Sequence, residues 1–137
     1  MNTAESVLER HGQAINERDL ETYRTTMNFP FTYQNDNGVA LTVETAADSG
    51  ASAQLPWNII LRSDPNWHHT TFDAVEEVVR SVSSAVFKVT FSRVDAVGRA
   101  YGTYQAIWIA TSRDGHWGIQ FRHNLGLREE KAATPTL

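Results

Sequence analysis

The sequence predicts one α+β domain, with helices first and a meander of long antiparallel strands after them. Apolar residues recur at helical spacing over residues 4–27. From residue 70 onward long β-type runs take over, separated by Val97-Gly98 and Asp114-Gly115, which are hairpin signals. The chain has 137 residues, room for one hydrophobic core. It shows no internal repeat and no low-complexity linker. The domain is expected over residues 1–126, with a flexible tail over 127–137 that is rich in Ala, Thr and polar residues.

The first helix is expected from Ala4, Val7, Leu8, His11, Ala14 and Ile15, with Thr3 as its N-cap and Glu5 in its first turn. Asn16-Glu17-Arg18-Asp19 breaks it, and Asp19 caps a second helix over 20–27 whose Leu20, Tyr23 and Met27 share one side. Pro30 closes that region. Short strands at 31–34 and 39–43 flank the turn Asn35-Asp36-Asn37-Gly38. The stretch 44–62 is helical in its Ala-rich part, and Pro56 can start a further turn of helix. Asp64-Pro65-Asn66 is a loop. Four strands follow, at 70–80, 85–95, 99–112 and 117–125.

The hairpins suggest a register. A two-residue loop at Asp114-Gly115 pairs Ser112 with Trp117, Ala110 with Ile119, Trp108 with Phe121, Ala106 with His123 and Tyr104 with Leu125. A two-residue loop at Val97-Gly98 pairs Phe91 with Tyr104, Val89 with Ala106 and Phe87 with Trp108. Side chains alternate with a period of two, so both hairpins give one inner face: Phe87, Val89, Phe91, Tyr104, Ala106, Trp108, Ile119, Phe121 and His123. The outer face then carries Lys88, Thr90, Ser92, Gln105, Gln120, Arg122 and Asn124, with Ile107 and Ile109 among them.

Composition narrows the function. There is no cysteine, which excludes a disulfide scaffold, a cysteine nucleophile and a zinc–thiolate site. The formal charge of -4 argues against nucleic acid as a partner. No apolar run reaches the roughly 20 residues of a membrane helix, and the first residues lack a signal-peptide layout, so a cytoplasmic protein without a membrane partner is expected. There is no Gly-x-Ser-x-Gly, dinucleotide fingerprint or phosphate loop, and no cofactor is expected.

This order of elements, with Pro65-Asn66-Trp67-His68-His69 and Gly115-His116-Trp117-Gly118-Ile119-Gln120-Phe121-Arg122 within it, resembles the nuclear transport factor 2-like superfamily. Its SnoaL-like (polyketide-cyclase-like) and uncharacterised bacterial branches are the most similar. The resemblance covers about residues 3–126. It implies a cystatin-like cone: a curved antiparallel sheet, helices on its concave face, a pocket at the open end, and homodimers through the outer sheet face. It also implies chemistry that ranges from isomerases, dehydratases and cyclases to modules that only bind or assemble, so the fold alone does not settle function.

His123 is the leading catalytic candidate, a histidine among apolar neighbours that can act as acid or base near neutral pH, with Tyr104 as its partner on the same face. The alternative is a core histidine satisfied by one hydrogen bond. Tyr23, Tyr33, Trp57, Trp67, Phe91 and Trp108 are candidates for the wall of a pocket for a small apolar ligand, or plain core. If their segment is a strand, adjacent His68 and His69 point to opposite faces and cannot make a metal site alone, and no metal is expected. Asp36 lies where a ketosteroid-isomerase-like base would fall, but its surroundings read as an ordinary turn. Three readings follow: an enzyme acting on a polyketide-, steroid- or terpenoid-like compound through His123; a binding domain without chemistry; and an assembly domain whose dimer rests on Ile107 and Ile109.

Overall fold

A computed structural model describes residues 2–129. Thr3 opens α1 (Ala4–Glu17) with a capping box: its hydroxyl accepts from the Ser6 amide and the Ser6 hydroxyl accepts from its own amide. Arg18, at φ 53°, ends the helix in the left-handed region. Asp19 caps α2 (Leu20–Thr25) through the amide and hydroxyl of Thr22. This second helix stops before Met27, which already belongs to β1 (Met27–Asn35). Pro30 therefore lies inside a strand and does not close a helical region. β2 (Ala40–Val43) returns antiparallel, pairing Phe31 with Val43. Two single 3-10 turns, Asp48–Gly50 and Ser52–Gln54, occupy the Ala-rich stretch where a regular helix was expected. Pro56 then starts α3 (Pro56–Ser63) at its first position, where a missing amide proton costs nothing.

Four long strands complete the sheet: β3 (His69–Arg80), β4 (Ser84–Val94), β5 (Ala100–Arg113) and β6 (His116–Leu127). The strand order is β2-β1-β6-β5-β4-β3. Every neighbouring pair is antiparallel except β1 and β6, which run parallel. Helix α1 lies on the concave face, with Ala4, Val7, Leu8, His11, Ala14 and Ile15 buried. Asn16 locks its end to β3 by donating to the Thr70 carbonyl and accepting from the Thr70 amide, both at 2.8 Å. Leu127 still pairs with Tyr104, so the last strand runs one residue past the expected domain end at 126. The remainder of the expected tail, from residue 130, lies outside the described residues.

The β4–β5 register follows the expectation, pairing Phe91 with Tyr104, Val89 with Ala106 and Phe87 with Trp108. Its turn holds three residues between Asp95 and Arg99, and an extra residue at Tyr101 restores the count. The β5–β6 register departs from it. The turn has the expected form, with positive φ at both Asp114 (52°) and Gly115 (78°), and Ser112 pairs with Trp117 and Ala110 with Ile119. Gln120 is then an extra residue. Beyond it Ile109 pairs with Phe121, Trp108 with Arg122, Ile107 with His123 and Ala106 with Asn124. A one-residue insertion moves every later side chain to the other face. Phe121 and His123 therefore face outward, and Arg122 and Asn124 face the helices. A second extra residue, Leu125, precedes the pairing of Gln105 with Gly126.

The bulge lies beside an irregularity on the neighbouring strand. Met27 pairs with Ile119 and Thr32 with Phe121, so β1 jogs across Phe29-Pro30. Proline has no amide proton for the ladder. The Gln120 side-chain amide donates to the Pro30 carbonyl at 2.9 Å, and its oxygen accepts from the Thr111 hydroxyl at 2.8 Å.

Candidate functional site

The concave side of the sheet holds a small, half-open chamber of about 60 Å³. Its apolar walls are Ile15, Ile60, Phe72, Phe91, Ala106 and Trp108; its polar groups are Tyr33, Thr70, Arg93, Arg122 and Asn124. Outside it lies a polar vestibule of about 370 Å³, with Asp36, Asp64, Tyr101 and Tyr104 on its walls. Arg93 and Asn124 line both spaces. A larger concavity of about 810 Å³ lies between α1 and β3. It is an open groove whose acidic Glu5 and Glu77 are already paired with Arg80, and no unpaired buried group converges on it.

Arg122 dominates the chamber electrostatically. Its residue is 8% exposed, yet no carboxylate among the described residues pairs with it. Its Nη2 donates to the Tyr23 hydroxyl at 3.1 Å, and its Nε is buried without a partner. The guanidinium stands 5.2–5.9 Å from the ring centres of Tyr23, Phe31, Tyr33 and Trp108. Those ring faces offset part of the cost of burying a cation, at about 0.5–2 kcal/mol each. Arg93 is equally buried but neutralised, donating to Asp64 at 3.1 Å and lying 4.5 Å over the Tyr104 ring. Its Nε too is without a partner. Asp64 also accepts from the Tyr101 hydroxyl at 2.6 Å. Burial first and Asp64 second push the Tyr101 phenol well above the ordinary range. Burial likewise raises the Tyr23 and Tyr33 phenols, against the opposing pull of Arg122.

Behind this layer sits His11, fully buried on α1 between the rings of Tyr23 (4.8 Å) and Trp108 (5.3 Å). Its tautomer follows from its neighbour. The Thr26 hydroxyl gives its single proton to the Tyr23 carbonyl at 2.7 Å, so at 2.8 Å from His11 Nδ1 it must accept. Nδ1 thus carries the proton, and Nε2 is a bare acceptor with no partner. Burial first, and Arg122 second, hold its pKa well below the ordinary imidazole value.

The sequence-derived candidates separate in space. Tyr33, Phe91 and Trp108 line the chamber, and Tyr104 lines the vestibule, stacked on Phe91 at 5.4 Å. Tyr23 lies one layer deeper, behind Arg122. Trp57 and Trp67 wall neither space: Trp57 packs edge-on against Tyr23 at 5.9 Å, and Trp67 is a buried anchor whose indole donates to Thr70. His123 is displaced to the outer face by the bulge at Gln120. There Nδ1 lies 3.1 Å from the Gln34 oxygen and the ring stacks on Phe121, so it shares no surface with Tyr104. Asp36 is exposed at the vestibule rim. His68 and His69 stand 2.9 Å apart through their Nδ1 atoms and line neither space. Arg93, Arg122 and His11 were missed as site residues. His11 was visible as a polar residue on an apolar helical stripe; Arg122 was assigned to the wrong face.

No protein-family model matches this sequence, and no curated protein does. Solved structures do match in shape. One is described as a putative calcium/calmodulin-dependent protein kinase type II association domain from Thiobacillus denitrificans, 14% identical, with a TM-score of 0.71 over 93% of this chain and 98% of that one. A cystatin-like protein of unknown function from Nostoc punctiforme is 11% identical, with a TM-score of 0.65 over 88% and 85%. A nuclear transport factor 2-like superfamily protein from Salmonella enterica is 12% identical, with a TM-score of 0.62 over 96% and 93%. The chain therefore has the cystatin-like, nuclear transport factor 2-like fold. Among the described residues no helix is long and apolar enough to cross a membrane.

Proposed function

We propose that this chain is a small-molecule-binding domain that admits its ligand through the vestibule into the chamber at the open end of the cone. What supports the reading is the convergence of Arg93, Arg122, Tyr33 and Asn124 on one small space between apolar walls, the usual composition of a ligand site. Binding without chemistry is preferred over the isomerase, dehydratase or cyclase reading. His123, the expected acid or base, is on the far side of the sheet, and no carboxylate lines the chamber. The deciding experiment is a fragment screen by protein-observed NMR on the wild type and on Ala106→Leu, which adds bulk to a chamber wall that is 2% exposed. Ligands should shift Tyr33, Phe91 and Trp108 resonances in the wild type only. Shifts confined to the groove between α1 and β3, or equal in both proteins, would overturn the assignment.

A second reading concerns assembly and is compatible with the first. Cross-strand pairing sets Val79, Val86, Ile109 and Phe121 in one apolar row on the outer face. We propose that two copies pair through it, in the cytoplasm. Sedimentation equilibrium should give a dimer that Ile109→Glu turns into a folded monomer; a wild-type monomer at tens of micromolar would refute it.

A further inference from the structure

The chamber holds a charge that the protein does not balance. Among the described residues Arg93 has Asp64, whereas Arg122 has only a phenol and four ring faces. Burying a cation without an anion is costly, and such groups are ordinarily paired. Here both arginines line a small half-open space, and the buried Nε of each has no acceptor among the described residues. Three properties of an occupant follow. Its charge should be one negative unit, because Asp64 already neutralises Arg93 and one cation remains. Its acceptors should be two oxygens in a plane, the geometry that a guanidinium fork matches. Its head must fit about 60 Å³ between Ile15, Ile60, Phe72 and Ala106, while a chain can extend into the vestibule.

We infer that the ligand of this chamber is a small organic monocarboxylate, held at its carboxylate by the forked donors of Arg122, with Arg93 lining the same space. The inference rests on the binding reading above and names the ligand class for it. The apolar walls favour an aliphatic or flat head over a sugar. A phosphate ester carries close to two negative charges, which one unbalanced arginine does not match. Asp36, exposed on the vestibule wall, tells against a second carboxylate at the far end, because like charges there repel.

The test uses the wild-type chain and straight-chain carboxylates of two to six carbons, each beside its primary amide, with inorganic phosphate and phenyl phosphate as other anions. Ionic strength is held constant. Binding is read by titration, and the Arg122 Nε–H signal is followed by NMR. The expected result is saturable carboxylate binding at least tenfold tighter than the matching amide, with the Arg122 Nε–H signal moving on saturation. Arg122→Gln, checked for fold by circular dichroism, should bring acid and amide within about twofold. Should that variant not fold, the Nε–H signal of the wild type decides alone. Equal affinity for acid and amide would overturn the monocarboxylate inference and leave the binding reading standing. Phosphates binding more tightly than carboxylates would overturn it too, as would carboxylate binding that leaves the Arg122 signal unmoved. If neither these acids nor the fragment screen yields a ligand for the chamber, both readings fall.

Discussion

His11 should make folding stability depend on pH in a window where few other groups act. The ring is fully buried, its Nδ1 proton is committed to Thr26, and Nε2 has no hydrogen-bond partner among the described residues. Protonating it in place would put a second cation beside Arg122 in a low-dielectric core. Its folded-state pKa is therefore depressed, chiefly by burial and secondarily by Arg122. The sign follows from linkage. In the unfolded chain this imidazole takes up a proton near its ordinary value of 6.5, whereas in the folded chain it stays neutral, so the unfolded state binds more protons. Stability is then complete above that value and falls as the pH drops below it. The slope approaches about 1 kcal/mol per pH unit below that value for as long as the folded ring stays neutral. Carboxylates held low by hydrogen bonds, such as Asp19 and Asp95, act in the same direction but near and below the ordinary range around 3.8. The control is His11→Asn, whose side-chain amide can occupy the Nδ1 position and donate to Thr26 without titrating. Urea unfolding of both proteins at steps from pH 7.5 to 4.5 should show their difference in stability shrinking by about 2 kcal/mol or more. Parallel curves would refute the reasoning, because they would mean that His11 protonates freely within the fold.

Other perturbations test other contacts. Gly118→Ala places a methyl group 2.6 Å from the Met27 carbonyl carbon and 2.8 Å from the Asn28 nitrogen, both backbone atoms that cannot swing aside; urea unfolding should show a loss of about 3 kcal/mol or more. Asn16→Ala removes both 2.8 Å bonds between α1 and β3 and should cost about 1–3 kcal/mol by the same measurement, with hydrogen exchange rising first at Thr70. Asp64→Asn removes the second-largest cause of the raised Tyr101 phenol; ultraviolet titration should show that tyrosine ionising at lower pH than in the wild type, though burial keeps it above the ordinary value.

Most of the architecture was legible in the sequence because it depends on local signals. The Thr3 and Asp19 caps, the Asp114-Gly115 turn and the alternation of β4 and β5 each specify their element within a few residues. The error in β6 has a non-local cause. Trp117 to Leu125 alternates in either register, and the insertion at Gln120 lies beside the jog at Pro30, to whose carbonyl it is bonded, on a strand that is 90 residues away in sequence and runs parallel to it. One bulge was enough to exchange the site's two central assignments, sending His123 out and Arg122 in. A sequence rule that places charged residues outward makes the same mistake, because the ring cage that makes burial of Arg122 tolerable is drawn from α2, β1 and β5. The Trp57 and Trp67 assignments failed for a simpler reason: an aromatic that fills the core and one that walls a pocket look alike in sequence.

The claim on which the binding account rests is the phase of β6, and cross-strand NMR contacts measure it directly. Backbone proton contacts collected on the isotope-labelled protein should join Trp108 to Arg122 and Ile107 to His123, with Ala110 still opposite Ile119. Contacts joining Trp108 to Phe121 and Ala106 to His123 would contradict the account, returning the histidine to the chamber and removing the arginine from it.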